Sequence, residues 1–136
     1  MSRLHFSEIK VQASIVFLDD NEDLRELLPV LLKSALGVDC LSFGSLSELQ
    51  GSCDDVLRAK VAILDINLGA NVPSGIDAFR WLTDHEFRGK ILFLTGHARS
   101  NPEVVLAERN GAQVLAKPLH PDELVSVIRN ALDESS

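Results

Sequence analysis

The sequence predicts an α/β domain whose core is a doubly wound parallel sheet of five strands. Five short apolar runs alternate with longer amphipathic segments, and most of these runs lack the polar alternation of a half-exposed strand. Strands that are apolar throughout are typical of parallel sheets covered by helices on both faces. With 136 residues, 46% of them hydrophobic, the chain is long enough for one core and too short for two. We therefore expect a single domain.

The five predicted strands are the apolar runs themselves, at residues 14–18, 38–43, 61–65, 90–95 and 112–116. The first predicted helix follows the first strand, carries its leucines on one face and ends at Gly37. Pro29 removes one backbone N–H from this helix, and we expect a kink and not a break, because the apolar stripe continues beyond it. Ser45 caps the second predicted helix, which runs through Leu46, Leu49, Val56 and Leu57, with Gly51 and Ser52 as an alternative end.

The remaining helices are predicted from apolar stripes and from cap residues. The third carries Ile76, Phe79 and Leu82, the fourth opens at Asn101-Pro102 and closes at Gly111, and the last starts near Pro121 and carries Leu124, Ile128 and Leu132. We expect residues 1–13 to form an N-terminal extension, residues 14–133 the domain and residues 134–136 a frayed tail.

Composition and charge restrict the classes of partner. The net charge of −7 and a pI near 5.0 argue against broad contact with nucleic-acid phosphates or with anionic lipid. Two cysteines, Cys40 and Cys53, are too few for a disulfide framework and fit a reducing compartment. The N-terminal residues contain no apolar signal region, and no run approaches the roughly 20 residues needed to span a bilayer. We expect a cytoplasmic protein that contacts neither nucleic acid nor membrane.

Charged and hydroxyl side chains follow four of the five predicted strands at the point where each strand ends. The first strand ends in Asp19-Asp20, the third in Asp65, the fourth in Thr95 and the fifth in Lys117. Functional groups of a doubly wound sheet gather beyond the carboxyl ends of its strands, so we expect these side chains to form one pocket. Three clustered carboxylates repel one another unless a cation joins them, and oxygen ligands of this kind suit Mg²⁺.

Such a pocket is suited to receiving a phosphoryl group. Mg²⁺ and Lys117 would neutralise the phosphoryl oxygens, Thr95 would donate a hydrogen bond, and a carboxylate would act as nucleophile. Asp65 is the expected nucleophile because it stands alone on the central strand, and the Asp19-Asp20 pair is better placed to hold the metal. The alternative is that the acidic pair only caps the following helix.

An ordered set of segments carries a resemblance to a known family. FLDDNEDLREL, VAILDINL, PSGIDAFRWL, ILFLTGH, NGAQVLAKP and HPDEL resemble, in this order, the response-regulator receiver domain of two-component signalling, over about residues 14–132. The resemblance implies a flavodoxin-like (βα)5 fold with strand order 2-1-3-4-5, as in chemotaxis regulators. It also implies a phosphoacceptor, not an enzyme, which is phosphorylated by a histidine kinase or a phosphotransfer protein and assists its own phosphorylation and dephosphorylation.

The resemblance assigns roles to the acids of the predicted pocket. It implies that Asp65 is the phosphorylation site, that Asp20 ligates Mg²⁺, and that Asp19 acts largely through water. Asn67 would offer its backbone carbonyl to the metal.

The same resemblance assigns roles to two residues on the later strands. Thr95 would be the switch hydroxyl, and Lys117 would pair with the phosphoryl group or, before phosphorylation, with Asp65. The Lys117-Pro118 bond is expected to be cis, as in the family. Signalling would act through protein contacts, for which the surface made by the fourth helix, the fifth strand and the fifth helix is the expected face.

Two departures from the family pattern affect the pocket. The stretch from Asp65 to Gly75 is longer than the usual loop by about two residues, either as a tolerated surface insertion or with altered access for partner or metal. Val114 stands where most receivers carry Tyr or Phe, and valine cannot swing as an aromatic does. Either the switch runs through another element, or phosphate is passed onward with little conformational readout, or Val114 is only a strand-favouring core residue. His97, two residues after Thr95, either orients attacking water or is idle.

Two other functions are alternatives. A haloacid-dehalogenase-like phosphotransferase also uses an aspartate nucleophile, but its Asp-x-Asp motif is absent, because Asn21 stands two residues after Asp19. A pseudo-receiver would be an interaction module without phosphorylation, although it usually lacks the acceptor or the acidic pair. We expect a single-domain receiver with no output domain after Ser136, and a receiver excised from a hybrid kinase or a longer regulator is the alternative.

Overall fold

A computed structural model describes residues 13–66, 68, 73–96, 102–109, 111–117 and 120–135. Five strands alternate with helices along this part of the chain. The elements are β1 (Ile15–Leu18), α1 (Glu22–Leu36), β2 (Cys40–Phe43), α2 (Leu46–Gln50), α3 (Cys53–Arg58), β3 (Val61–Asp65), α4 (Gly75–Asp84), β4 (Lys90–Thr95), α5 (Pro102–Arg109), β5 (Gln113–Ala116) and α6 (Pro121–Ser135).

The five strands form one parallel sheet in the order β2-β1-β3-β4-β5. The predicted fold class and strand order are therefore confirmed. In the register of the sheet Leu18 pairs with Leu64, so that Asp19 and Asp65 leave β1 and β3 side by side. Because all strands are parallel, their carboxyl ends lie at the same edge, where the candidate pocket forms.

Alternate strand residues build two apolar layers, one on each face of the sheet. The layer beneath α1 and α6 contains buried strand residues Ile15, Phe17, Val61, Ile63, Leu92 and Leu94. The layer beneath α2, α3 and α4 contains buried strand residues Val16, Leu18, Ala62, Leu64, Phe93 and Val114. Both faces are covered, which explains why the strand sequences show so little polar alternation.

The second predicted helix ends at Gly51 and Ser52, the alternative end, and the structure places a separate helix, α3, after them. Gly51 ends α2 through backbone bonds from its N–H to the carbonyls of Ser47 and Glu48, and α3 starts two residues later at Cys53. Three strands also begin one or two residues later than predicted, at Ile15, Cys40 and Gln113, the usual error at element ends.

Helix α1 continues through Pro29 without a break, as predicted. Pro29 has no N–H to donate to the carbonyl of Arg25, and that carbonyl instead accepts a hydrogen bond from Ser42 Oγ on β2 at 3.0 Å. Asn21 caps the start of the helix through its side chain, and Gly37 ends it with φ of 69°. The carbonyl of Arg25, left without a helical donor by Pro29, thus connects α1 to the sheet.

None of the helices in the described ranges is both long and apolar enough to cross a membrane.

Candidate functional site

Three carboxylates meet at the carboxyl ends of β1 and β3. Asp19, Asp20 and Asp65 each offer a carboxylate oxygen, and these three atoms lie within 4.8 Å of one another. Asp19 is 0% and Asp65 3% exposed, whereas Asp20 is exposed to solvent. Buried negative charges at this separation are unfavourable without a positive partner.

Lys117, at the end of β5, supplies that positive partner. Its Nζ lies 2.9 Å from Asp19 Oδ2 and 3.2 Å from Asp65 Oδ2, so it bridges the two buried acids. Burial alone lowers the pKa of the Lys117 ammonium, but the hydrogen bond to Asp19 and the charges of Asp65 and Asp19 outweigh burial and raise that pKa above its ordinary value. The pair with Asp65 was predicted, while the closer contact with Asp19 was not.

Asp19 is held at four points. One carboxylate oxygen accepts from the backbone N–H of Asn21 at 2.9 Å, and the other accepts from Lys117. Its own N–H donates to the carbonyl of Phe43 on β2 at 3.1 Å, and its carbonyl accepts from Arg25 Nη1 at 3.0 Å. With both carboxylate oxygens engaged, Asp19 is less available than the exposed Asp20 as a direct ligand.

The backbone at Asp65 is fixed by the start of α4. Gly75 lies so close to β3 that a Cβ atom there would sit 2.3 Å from the carbonyl oxygen of Asp65, a distance that no side chain can occupy. The N–H of Gly75 donates to the carbonyl of Ile66 at 3.0 Å, and Ser74 caps the helix together with Asp77 in a reciprocal capping box. The helix that follows the long loop is therefore attached directly beside the predicted acceptor.

Thr95 lies buried at the same edge, with 2% of its surface exposed. The backbone N–H of Lys117 donates to the carbonyl of Thr95 at 2.8 Å, which joins the ends of β4 and β5. The five predicted site residues within the described ranges, Asp19, Asp20, Asp65, Thr95 and Lys117, thus all lie at the carboxyl edge of the sheet.

Three residues with predicted roles are not among those that the structure describes. Asn67, His97 and Pro118 lie outside the described residues, as does most of the long loop before Gly75, so their predicted roles remain predictions. Val114 is 8% exposed and pairs with Phe93 in the sheet, so it is a core residue in this structure.

Two residues near the pocket were not predicted from the sequence. Arg25 was not predicted because a helical arginine gives no sign that its guanidinium turns back to the preceding strand. Gly75 had a usable signal, since glycine is a poor residue for the first turn of a helix and its presence there suggests a close backbone approach.

An apolar groove of about 310 Å³ adjoins the pocket between α1 and α6. Its walls are mostly apolar side chains, and Asn21 and Lys117 line it at the end next to the pocket. The lining residues are Asn21, Leu24, Leu27, Leu28, Leu31, Lys117, Pro121 and Leu124. Leu27 is 60% exposed, and Val30 on the same helix is 66% exposed. We call this surface the α1–α6 groove.

Comparisons with known proteins agree with this fold. The family model for the response regulator receiver domain matches residues 15–129. Response regulator protein TodT of Pseudomonas putida is 32% identical over 124 residues, which cover 89% of this chain and 52% of that protein. Transcriptional regulatory protein GltR of Pseudomonas aeruginosa is 31% identical over 122 residues, which cover 88% of this chain and 48% of that protein. The chain spans about half the length of these curated relatives.

Solved structures show the same architecture. A response regulator receiver domain protein from Clostridium thermocellum matches with a TM-score of 0.77 at 27% identity, covering 90% of this chain and 95% of that one. A receiver domain protein described as CheY-like, from Methanospirillum hungatei, matches with a TM-score of 0.79 at 22% identity and the same coverage, which supports the fold alone. The haloacid-dehalogenase alternative is not supported. The chain belongs to the response-regulator receiver domain family of bacterial two-component systems.

Proposed function

We propose that Asp65 accepts a phosphoryl group, in the cytoplasm, from the phosphohistidine of a histidine kinase or a phosphotransfer protein. The observation that carries the proposal is the bridge from Lys117 to Asp19 and Asp65, with Asp20 beside them. A structural ion pair needs only one carboxylate. Three carboxylates and one ammonium together carry two negative charges in excess, which suits a divalent cation. Both cysteines are free, which fits a reducing compartment.

Asp19, Asp20 and Asp65, with the backbone carbonyl of Asn67, would hold Mg²⁺. The residues fit this ion because the donors are carboxylate oxygens gathered within 4.8 Å and two of the three are buried. When bound, the ion would neutralise negative charge on the phosphoryl oxygens. Asp20 would be a direct ligand, and Asp19, whose oxygens already accept hydrogen bonds, would act largely through water.

In the transfer itself, a carboxylate oxygen of Asp65 forms the new bond to phosphorus while the P–N bond to the donor imidazole breaks. The electron pair of the broken bond stays on the ring nitrogen, and the donor leaves as neutral imidazole when its other nitrogen carries the proton. Lys117, 3.2 Å from Asp65 Oδ2, would pair with the phosphoryl oxygens, and Thr95 would donate a hydrogen bond to them. Attack of water on phosphorus would later restore the carboxylate and release inorganic phosphate.

The position of the α1–α6 groove supports a protein as the phosphoryl donor. Any donor must bring its phosphohistidine to the edge where Lys117 lies, and the groove begins at this residue. An apolar helix of the donor would bury Leu27 there. Leu27→Asp is expected to slow transfer from a protein donor and to leave phosphorylation by a small phosphodonor unchanged.

Mass spectrometry tests the proposed function directly. After incubation with acetyl phosphate and Mg²⁺, the chain should gain the mass of one phosphoryl group, and hydroxylamine, which cleaves acyl phosphates, should remove it. Asp65→Asn should abolish the gain, whereas Asp54→Asn, which changes an exposed acid on α3, should not. A wild-type chain that gains no mass would favour the pseudo-receiver alternative. A gain that survives in Asp65→Asn would refute the assignment of the acceptor.

A further inference from the structure

We propose that Arg25 is a positioning residue for the acidic pair of the pocket. The inference rests on the proposed function, because it concerns how that pocket holds its cation. Arg25 Nη1 donates to the carbonyl oxygen of Asp19 at 3.0 Å. This carbonyl belongs to the peptide group that joins Asp19 to Asp20, so the guanidinium fixes the direction in which Asp20 leaves β1. Arg25 therefore acts through the backbone of the ligand pair.

The backbone of Arg25 is itself anchored on both sides. Its N–H donates to the carbonyl of Asn21 at 3.1 Å in the first turn of α1. Its carbonyl, left without a helical donor by Pro29, accepts from Ser42 Oγ on β2 at 3.0 Å. The side chain thus starts from a point fixed to both helix and sheet, which lets one hydrogen bond hold the end of β1.

The guanidinium reaches Asp19 through space that Gly44 leaves open at the end of β2. A Cβ atom on Gly44 would lie 3.0 Å from Arg25 Nη1 and 3.1 Å from its Cζ, closer than nearly all real contacts of a Cβ atom. Gly44 is also fixed in place, because its N–H donates to Glu48 Oε1 at 2.8 Å. A side chain at position 44 should therefore displace the guanidinium from Asp19.

A positioning role and a simple charge effect predict opposite signs for Mg²⁺ binding. If Arg25 acted only through its charge, its removal would strengthen the binding of a cation to the neighbouring acids. If it holds the peptide between Asp19 and Asp20, its removal leaves Asp20 less well oriented and weakens binding. Loss of a group that orients a metal ligand typically costs about 10-fold or more in affinity.

The experiment is a Mg²⁺ titration of the unphosphorylated chain, followed through amide NMR shifts of the pocket. We expect Arg25→Ala to weaken Mg²⁺ binding about 10-fold. Gly44→Ala should weaken it in the same direction, and the double variant should bind no more weakly than Arg25→Ala, because both changes remove the same contact. Arg58→Ala, which removes a positive charge from the exposed end of α3, is the matched control and should leave binding unchanged.

Each outcome decides the matter. Unchanged or tighter Mg²⁺ binding in Arg25→Ala would overturn the positioning role, and so would fully additive effects of the two substitutions. Should Arg25→Ala fail to fold, Gly44→Ala alone carries the test, with normal affinity overturning the proposal. Asp65 phosphorylation in wild type is measured separately, so failure of the proposed function is distinguished from failure of the role of Arg25. A wild-type chain without any Mg²⁺ response would overturn both the metal site and this inference.

Discussion

Lys117→Met in the metal-free chain tests the contribution of the buried ion pairs to stability. Methionine keeps much of the aliphatic length of lysine but removes the charge that bridges Asp19 and Asp65. Two charge-assisted hydrogen bonds are lost, at about 1.5–3 kcal/mol each, and two buried carboxylates remain without this partner. Since removal of one partner from a buried pair costs about 3–5 kcal/mol, we expect the free energy of unfolding to fall by about 3 kcal/mol.

Urea unfolding followed by circular dichroism, with a chelator present, measures this loss. The matched control is Lys90→Met, because Lys90 Nζ lies 3.2 Å from Glu134 Oε1, the same distance that separates Lys117 from Asp65. The side chains of Lys90 and Glu134 are 49% and 63% exposed, and such surface pairs contribute about 0–1 kcal/mol. Equal stability losses in the two variants would refute the reasoning, because burial would then not matter.

Mg²⁺ and pH provide two further readouts of Lys117→Met. Added Mg²⁺ should stabilise the variant more than the wild type, because Lys117 no longer competes for Asp19 and Asp65. The folded-state pKa of Lys117 is raised, so its contribution is present below the unfolded lysine pKa of about 10.4 and is lost as pH rises through the folded value. The difference in the free energy of unfolding between the variant and the wild type should therefore stay constant around neutral pH. It should become smaller only in strongly alkaline solution.

The remaining predictions concern backbone geometry and thiol reactivity. Gly75→Ala should destabilise by about 2 kcal/mol in urea unfolding, since a Cβ atom would collide with the carbonyl of Asp65, and unchanged stability would contradict that close approach. Glu86 has a φ of 62°, so Glu86→Gly should stabilise by about 0.5–1 kcal/mol in the same assay; a loss would show that the side chain matters more than backbone strain. Burial raises the pKa of Cys40 to about 12, against a lowering hydrogen bond from the side chain of Ser42, so a thiol reagent at neutral pH should label Cys53 alone in the folded chain. Rapid labelling of both thiols would refute it.

The fold followed from the sequence because its strongest signals are local. Each predicted strand is a short apolar run, and four of the five runs end at a charged or hydroxyl residue that the parallel sheet gathers at one edge. Gly51 and Ser52 indicated a possible end of the second helix, but the sequence could not decide it. The apolar residues from Leu46 to Leu57 lie on one face of a continuous helix, whereas the break depends on backbone bonds at Gly51. Periodicity reports which face a residue occupies and is insensitive to a two-residue turn.

Tertiary contacts of single side chains could not be predicted from the sequence. To predict the hydrogen bond from Arg25 to the carbonyl of Asp19, one must know that Gly44 leaves room for the guanidinium. Likewise, Pro29 predicts a carbonyl without a helical donor, but the donor that satisfies it, Ser42 Oγ, lies on the next strand. Such contacts depend on where two elements meet, which no local pattern encodes.

The difference in burial between the adjacent Asp19 and Asp20 could, however, have been predicted from strand periodicity. Asp19 continues the row of Ile15 and Phe17 on β1, Asp65 continues the row of Val61 and Ile63 on β3, and Lys117 continues the row of Leu115 on β5. All three rows face the layer beneath α1 and α6, so the period of two brings these three side chains to the same side of the sheet edge. Thr95 continues the row of Phe93 and approaches from the opposite face. Asp20 lies beyond the end of β1 and is exposed to solvent, whereas Asp19 is buried against Lys117.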